Sequence, residues 1–305
     1  MACIHILAAA TIGLALGYGA GPATAVEPAL AGTIPISFES PADDGTPRDT
    51  PALLTLPVGT GPHPLVLLLH DELGPDGRGS RLAAALAAAG IATLQPDLWL
   101  ARGLTPEAPD PAPADARAIL PEVFAALDHA AMDARVDPRR IGVAGFGIGG
   151  RAALLARAEA WGAAQLGGFG PRFAAHAALY PDCALLRAER RTLALQGRRR
   201  SHALLLAAGQ DSGDAAAECA AAAPPLPVET LDTTHAWDLP GAHRLLANRA
   251  APPRAVREDS AATAAATDRL VAFFGLALRP ELVAGTQTGL RPGLHSGLRP
   301  PRAGD

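Results

Sequence analysis

Residues Pro64-Leu-Val-Leu-Leu-Leu-His70 form a continuous apolar run of strand length. Such runs belong to strands covered on both faces, as in a parallel sheet flanked by helices. Comparable segments follow at Ile91–Leu94, Arg140–Ala144, Ala174–Tyr180 and Ala203–Ala208, and Val228–Leu231 closes the series. Helical stretches lie between them: Arg81–Ala89 ended by Gly90, Ala118–Ala134, about Gly149 to Ala160, and a last amphipathic segment over Ala261–Leu278. Two short strands, Thr33–Phe38 and Leu53–Leu56, come first and are joined through a Pro/Asp/Gly-rich turn around Pro41–Pro51. Strands alternating with helices over this span imply an α/β fold, a doubly wound and mostly parallel sheet with helices on both faces. A chain of 305 residues, 49% hydrophobic, can bury the core this requires.

Where one of these strands passes into a helix, the chain reads Gly145-Phe-Gly-Ile-Gly-Gly150, and two motifs overlap on it. Gly145, Gly147 and Gly150 spell G-x-G-x-x-G, a turn that cradles the phosphates of a dinucleotide. Alternatively, Gly145-Phe146-X-Ile148-Gly149 is a strand-to-helix elbow that presents a nucleophile, with Gly147 at the reactive position. The first reading needs a carboxylate about 20 residues on, at the end of the next strand, to hold a ribose. That stretch is Phe169-Gly-Pro-Arg-Phe-Ala-Ala, and the first acid after the next strand is Asp182. Several strands also precede the turn. An oxidoreductase binding a dinucleotide through Gly145–Gly150 is therefore the lesser alternative, and the sequence implies no cofactor.

The elbow reading requires an acid and then a histidine further along. The Ala203–Ala208 strand runs into Gly209-Gln-Asp211, and Val228–Leu231 into Asp-Thr-Thr-His235. A carboxylate and an imidazole at the ends of successive strands can bond to each other, which fixes the histidine tautomer and supports an imidazolium. Each alone has a plain alternative, Asp211 as a helix cap and His235 as a polar loop residue.

The chain here resembles the dienelactone hydrolases, particularly their exported members, over about residues 60–278. The likeness runs through Leu-Leu-Leu-His70-Asp-Glu-Leu-Gly74, Gln95-Pro-Asp-Leu-Trp-Leu-Ala-Arg-Gly103 and Val136-Asp-Pro-Arg-Arg-Ile-Gly-Val-Ala-Gly145. It continues in Leu179-Tyr-Pro-Asp-Cys183, in Gly209-Gln-Asp211 with Cys219 eight residues later, and in Thr234-His-Ala-Trp-Asp238. The resemblance implies an α/β-hydrolase fold and an ester- or lactone-hydrolysing class acting on a small ester, lactone or carboxylate. It implies Asp211 and His235 as acid and base, and an oxyanion hole from the backbone N–H of Ile148 and one from Asp71-Glu72. It also implies Arg102 as a steering residue for a substrate carboxylate. The family carries Cys or Ser where this chain has Gly147, and an acyl-enzyme needs an oxygen or sulfur there. Ser212 beside Asp211 and Ser80 in the loop after an earlier strand read more simply as loop or cap residues, and Cys183 as a structural thiol.

Composition excludes some chemistry. Every basic side chain is arginine, so Schiff-base and P-loop lysine mechanisms are absent, and a net charge of −4 offers no footprint for nucleic acid. Arg198-Arg199-Arg200 reads as a solvated loop, and the Pro/Ala-rich 104–117 as another. Residues 6–20 are apolar but too short to span a bilayer, and Ala23-Thr24-Ala25 supplies a small-x-small cleavage pattern. The expectation is a signal peptide over 1–25 and an exported, periplasmic or extracellular protein; the alternative is an unprocessed, unordered N-terminus. After cleavage two cysteines remain, Cys183 and Cys219, paired in a disulfide or buried as separate thiols. The segment 279–305, with Gly-Leu-Arg-Pro repeated at 289 and 297, lacks the apolar content for a core and is expected to be a disordered tail. No metal site is implied.

Overall fold

In a computed structural model of the chain, residues 32–279 are described except for 43, 105–114, 193–200, 212–214, 223–225, 242–244 and 247–253. The expected signal peptide, C-terminal tail, Arg198–Arg200 patch and Ser212 lie outside these residues.

Eight strands form one sheet in the order β1-β2-β4-β3-β5-β6-β7-β8. They are β1 (Gly32–Pro41), β2 (Pro47–Leu56), β3 (His63–Leu69), β4 (Ala92–Pro96), β5 (Val136–Phe146), β6 (Ala175–Leu179), β7 (His202–Ala208) and β8 (Val228–Leu231). The hairpin β1–β2 is antiparallel, and β2 meets β4 antiparallel. Every later pairing is parallel. The helices are α1 (Gly77–Ala88), α2 (Leu120–Met132), α3 (Gly147–Leu155), α4 (Glu159–Leu166), α5 (Cys183–Thr192), α6 (Ala215–Ala222) and α7 (Ser260–Ala277). A two-residue hairpin, β9 (Leu245–Leu246) with β10 (Arg254–Ala255), stands apart from the main sheet. No described helix is long and apolar enough to cross a membrane.

The apolar run at β3 explains its place in the sheet. Leu65, Leu67 and Leu69 face one side with residues of α2 and α3, while Val66 and Leu68 face the other with residues of α1 and α7. All five are at most 3% exposed, so alternation of side chains across the strand fills both layers. The chain goes from β3 outward to β4, then returns to β5 on the other side of β3. That reversal opens the sheet between the carboxyl ends of β3 and β5, where open α/β sheets place their sites.

Several elements differ from their sequence expectation. β1 and β2 pair over their full length, from Gly32↔Leu56 to Pro41↔Pro47, so the turn shrinks to a few residues after Pro41. α1 begins at Gly77, because the Asp76 side chain accepts from the Arg78 N–H at 2.8 Å and caps it there. Ser80 therefore lies in that helix and not in a loop. The single helix expected from Gly149 to Ala160 is two, α3 beginning at Gly147 and α4. Of the expected 104–117 loop, Ala116–Ile119 is a 3-10 turn leading into α2. α6, a run of mostly alanine, carries no apolar periodicity that would have announced it.

Candidate active site

The elbow arises from a close approach of strand and helix. A Cβ at Gly145 would lie 2.2 Å from the Gly149 carbonyl carbon, and one at Gly149 would lie 2.5 Å from the His70 carbonyl oxygen. Only glycine lets β5, α3 and the end of β3 meet so tightly. These glycines are thus occupied by the protein's own backbone, and the dinucleotide reading is set aside. Between them Gly147 has φ +49°, a left-handed conformation at the first residue of α3.

Facing the elbow is the loop after β3. His70 accepts the Leu98 N–H on Nε2 at 3.0 Å, which leaves the proton on Nδ1 to donate to the Asp71 carbonyl at 2.8 Å. Burial lowers the His70 pKa and keeps this neutral form. Trp99 Nε1 donates to the same carbonyl at 3.1 Å. With the Gly74 N–H at 3.1 Å, three donors fix the Asp71–Glu72 peptide plane, with the Glu72 N–H directed to its opposite side. Asp71 itself is turned away: its Oδ1 accepts from the Leu73 N–H at 2.9 Å and its Oδ2 pairs with Arg78 at 2.6 Å.

Glu72 is the residue that sequence reasoning used only for its N–H. A Cβ built on Gly147 would stand 2.6 Å from Glu72 Oε2 and 3.1 Å from Asp71 Cβ. The Glu72 carboxyl therefore lies in the space a side chain at position 147 would take. Arg151, one turn into α3, lies 3.6 Å from Glu72 Oε1 and donates through Nε to Glu189 Oε1 at 3.1 Å. Glu189, on α5, also accepts the Ala116 N–H at 2.9 Å. The Glu72 pKa is raised, first by burial and then by the negative Asp71, while Arg151, its own backbone N–H and His235 act against the rise. Its side chain is 35% exposed, so that desolvation is partial. Two adjacent acids in one loop hint that such a side chain exists, but only the Arg78 pair decides which of them turns inward.

On the other side, the Gly209 N–H donates to the Leu231 carbonyl at 2.7 Å and the Gln210 N–H to the Thr233 carbonyl at 2.9 Å. These bonds extend the β7–β8 pairing into the two loops and bring their tips together. His235 Nδ1 and Asp211 Oδ2 are 3.0 Å apart, both largely buried. Ala236 follows with φ +48°, a left-handed position that costs a non-glycine residue about 1–2 kcal/mol. The Tyr180 ring packs between the His235 and Trp237 rings, at 4.9 and 4.7 Å. Its hydroxyl donates to Asp238 Oδ1 at 2.6 Å and accepts from Arg78 Nη1 at 3.2 Å. A buried chain, Asp71–Arg78–Tyr180–Asp238, thus ties the β3 loop to the β8 loop. Burial raises the Asp238 pKa and, first among several causes, that of Tyr180.

The other expected residues fall as follows. The Ile148 backbone N–H belongs to the first turn of α3, next to Gly147. Arg102 pairs with Glu122 and donates to the Ala118 carbonyl at 2.7 Å, in a cluster that includes Arg48 at 3.5 Å from Glu122. Cys183 and Cys219 are joined in a disulfide that links α5 to α6. Ser80 is exposed on α1.

A parallel sheet with helices on both faces, an elbow after β5, and an acid–histidine pair after β7 and β8 define the α/β-hydrolase class. The model of the dienelactone hydrolase family matches residues 50–213, more than half the chain, and the chain belongs to that family. Its family relation places it in the ester and lactone hydrolase class. Among solved structures, it is similar to a putative dienelactone hydrolase from Klebsiella pneumoniae subsp. pneumoniae, at 18% identity and TM-score 0.55, covering 80% of this chain and 98% of that one. A dienelactone hydrolase-like promiscuous phosphotriesterase from metagenomic libraries gives 19% identity and TM-score 0.56, with the same coverages of 80% and 98%. A thermophilic carboxylesterase cloned from a metagenomic library gives 17% and 0.51, covering 84% of this chain and 92% of that one. These likenesses concern the fold. No curated protein matches the sequence.

Proposed function

We propose that this protein engages small esters, lactones or carboxylates where the β3 loop, the elbow and the His235 loop meet, and that acyl-enzyme chemistry through position 147 is lost. One observation carries the reading: Gly147 offers no oxygen or sulfur to acylate, while Asp211 and His235 remain 3.0 Å apart. Removing the nucleophile of a well-studied serine protease costs on the order of 10⁶ in turnover and leaves roughly 10³–10⁴ over water. Any hydrolysis here is expected in that residual range. Intact-mass measurement after exposure to 4-nitrophenyl acetate or to a fluorophosphonate checks this. No adduct and no burst are expected, and an acyl or phosphonyl adduct overturns it.

The intact His235–Asp211 pair favours a second reading, in which water attacks directly and these residues assist. Turnover clearly above that of His235→Ala would establish it. Arg102 remains a candidate for carboxylate steering, although Glu122 already answers its charge. Arg102→Met separates the roles. Leaving Glu122 buried with less compensation should cost about 3 kcal/mol, and a steering role would in addition raise KM for anionic esters relative to neutral ones.

We also propose that the protein is exported and cleaved after Ala25. The Ala23-Thr24-Ala25 pattern and the Cys183–Cys219 bond, which suits an oxidising compartment, support this. N-terminal sequencing of the secreted or periplasmic form should begin at Val26.

A further inference from the structure

We propose that the Glu72 carboxyl replaces the missing nucleophile as a general base, so that the site hydrolyses esters or lactones in a single displacement by water. The inference rests on the reading that position 147 carries no acyl group, and names the residue that stands in for it.

Position is the first argument. Glu72 Oε2 lies 2.6 Å from where a residue-147 Cβ would be, so a carboxylate oxygen occupies the region from which a side-chain oxygen would attack. With the carboxyl in this position, a side chain at residue 147 would have to displace it. Support is the second argument. Arg151 is 1% exposed and reaches Glu72 Oε1 at 3.6 Å, and Glu189 fixes Arg151 from α5 at 3.1 Å. An exposed loop glutamate would need no such backing. Surroundings are the third. Asp71 and Glu72 form the loop after β3 at the elbow, and His235 lowers the Glu72 pKa electrostatically from the loop after β8.

The step balances without a co-reactant. A water between Glu72 and His235 gives one proton to the Glu72 carboxylate as its oxygen bonds to the carbonyl carbon. The carbonyl electrons move onto oxygen, facing the N–H groups of Glu72 and Ile148. His235, with Nδ1–H bonded to Asp211, accepts the water's second hydrogen on Nε2 and orients the attack. Collapse of the tetrahedral intermediate breaks the bond to the leaving oxygen, which takes the proton back from Glu72. The products are a carboxylic acid and an alcohol, or one hydroxy acid from a lactone. Burial and then the negative Asp71 raise the Glu72 pKa, which makes its carboxylate a better proton acceptor than an exposed one.

The test uses the full chain with 4-nitrophenyl acetate and a small lactone. Wild type should turn over without a burst, and Glu72→Gln should lower kcat about 10²-fold with KM and thermal midpoint held. The wild-type rate should fall toward acid with a midpoint above the ordinary carboxylate range, and Glu72→Gln should lose that limb. The charged groups facing Glu72 are Asp71 on its own loop, Arg151 from α3 and His235 from the β8 loop. Asp71→Asn should therefore move the limb to lower pH, a shift that a merely structural Glu72 would not give. In a single wild-type turnover in H2¹⁸O, the label should enter the product acid and not Glu72. Unchanged kcat in Glu72→Gln, or label in Glu72, overturns the base role. Absence of wild-type turnover above His235→Ala also overturns it, while leaving the ligand-binding reading to its own mass test. A covalent acyl adduct would bring down that underlying reading.

Discussion

The two sides of the site have diverged differently. Behind the β7 and β8 loops, Asp211 and His235 keep the 3.0 Å contact that an acid–base pair needs. Behind β3 and β5, the strand-to-helix turn has a glycine at 147 with φ +49°, and a carboxyl from the neighbouring loop lies where its side chain would be. Position and chemistry are separable here. Packing of Gly145 against Gly149 fixes the turn whatever residue 147 is, so the side chain could change without loss of the scaffold. Glycine at φ +49° also relieves a strain of about 1–3 kcal/mol that a larger residue would carry.

The sharpest way to break the contrast is to rebuild the altered side. Gly147→Ser alone should give at most a weak burst, because Glu72 Oε2, 2.6 Å from the new Cβ, must first be displaced. Combined with Glu72→Ala, the serine has space, and His235 with Asp211 can deprotonate it. A burst with single-turnover rates up by on the order of 10²–10³ is expected, a small part of the roughly 10⁶ a native nucleophile is worth. Stopped-flow release of 4-nitrophenol would read it. Equal behaviour of single and double variants would mean that Glu72 does not guard the elbow.

That contrast was only half legible in the sequence. Gly147 and Asp211 were readable because each stands at the end of a strand announced by a buried apolar run, and His235 because it follows the short Val228–Leu231 strand next in order. The fate of the Glu72 side chain was not readable, because it depends on Arg78 capturing Asp71 from α1 and on Arg151 being held by Glu189 from α5. Arg151 and Glu189 are 38 residues apart, and although Asp71 and Arg78 are only seven apart, nothing local says which of the two adjacent acids Arg78 takes. Arg102 illustrates the same limit, since its ion pair with Glu122 spans 20 residues. Helix edges failed for local reasons: Gly77-Arg-Gly79 has poor helix propensity and hid the Asp76 cap, and the break after Leu155 has no proline to mark it.

The disulfide bears on the altered side. Cys183 begins α5, which carries Glu189, which holds Arg151 behind Glu72. Replacing both cysteines by serine opens a link of 36-residue separation, and the loop-entropy relation puts the loss at about 4 kcal/mol. Denaturant melts should show that loss. The Gly147→Ser/Glu72→Ala burst should weaken in the same background if α5 steadies the elbow, and an unchanged burst would confine the bond to global stability.

Tyr180 joins the two sides, and Tyr180→Phe tests whether they act together. The change leaves the buried Asp238 without its hydroxyl donor and removes one acceptor from Arg78. An unsatisfied buried group costs about 1–3 kcal/mol, so a loss near the middle of that range is expected in chemical unfolding. Because the ring remains against His235, the Asp211–His235 contact should survive, visible as an unshifted Nδ1 proton resonance. Loss of that resonance would show that the hydroxyl network also positions the histidine.

A last comparison concerns the packing beneath the elbow. His176 on β6 is buried, with Nδ1 bonded to the Ala153 carbonyl of α3 at 2.8 Å. Burial, with Arg157 nearby, lowers its pKa to about 3, so the folded protein holds it neutral. The unfolded chain binds a proton below about pH 6.5, where the folded one does not. Stability from this residue is therefore full above about 6.5 and drains as pH falls toward 3, by up to about 1.4 kcal/mol per pH unit. Glutamine can keep a donor to the Ala153 carbonyl but cannot titrate, so His176→Gln should flatten the acid side of the stability–pH curve. Measurement by denaturant unfolding between pH 4.5 and 7 separates this from the activity limb of Glu72, which has no reason to move in His176→Gln. A shift of that limb would mean that α3 transmits the packing around His176 to the elbow, and the two sides of the site would then differ in their coupling to the core as well as in their chemistry.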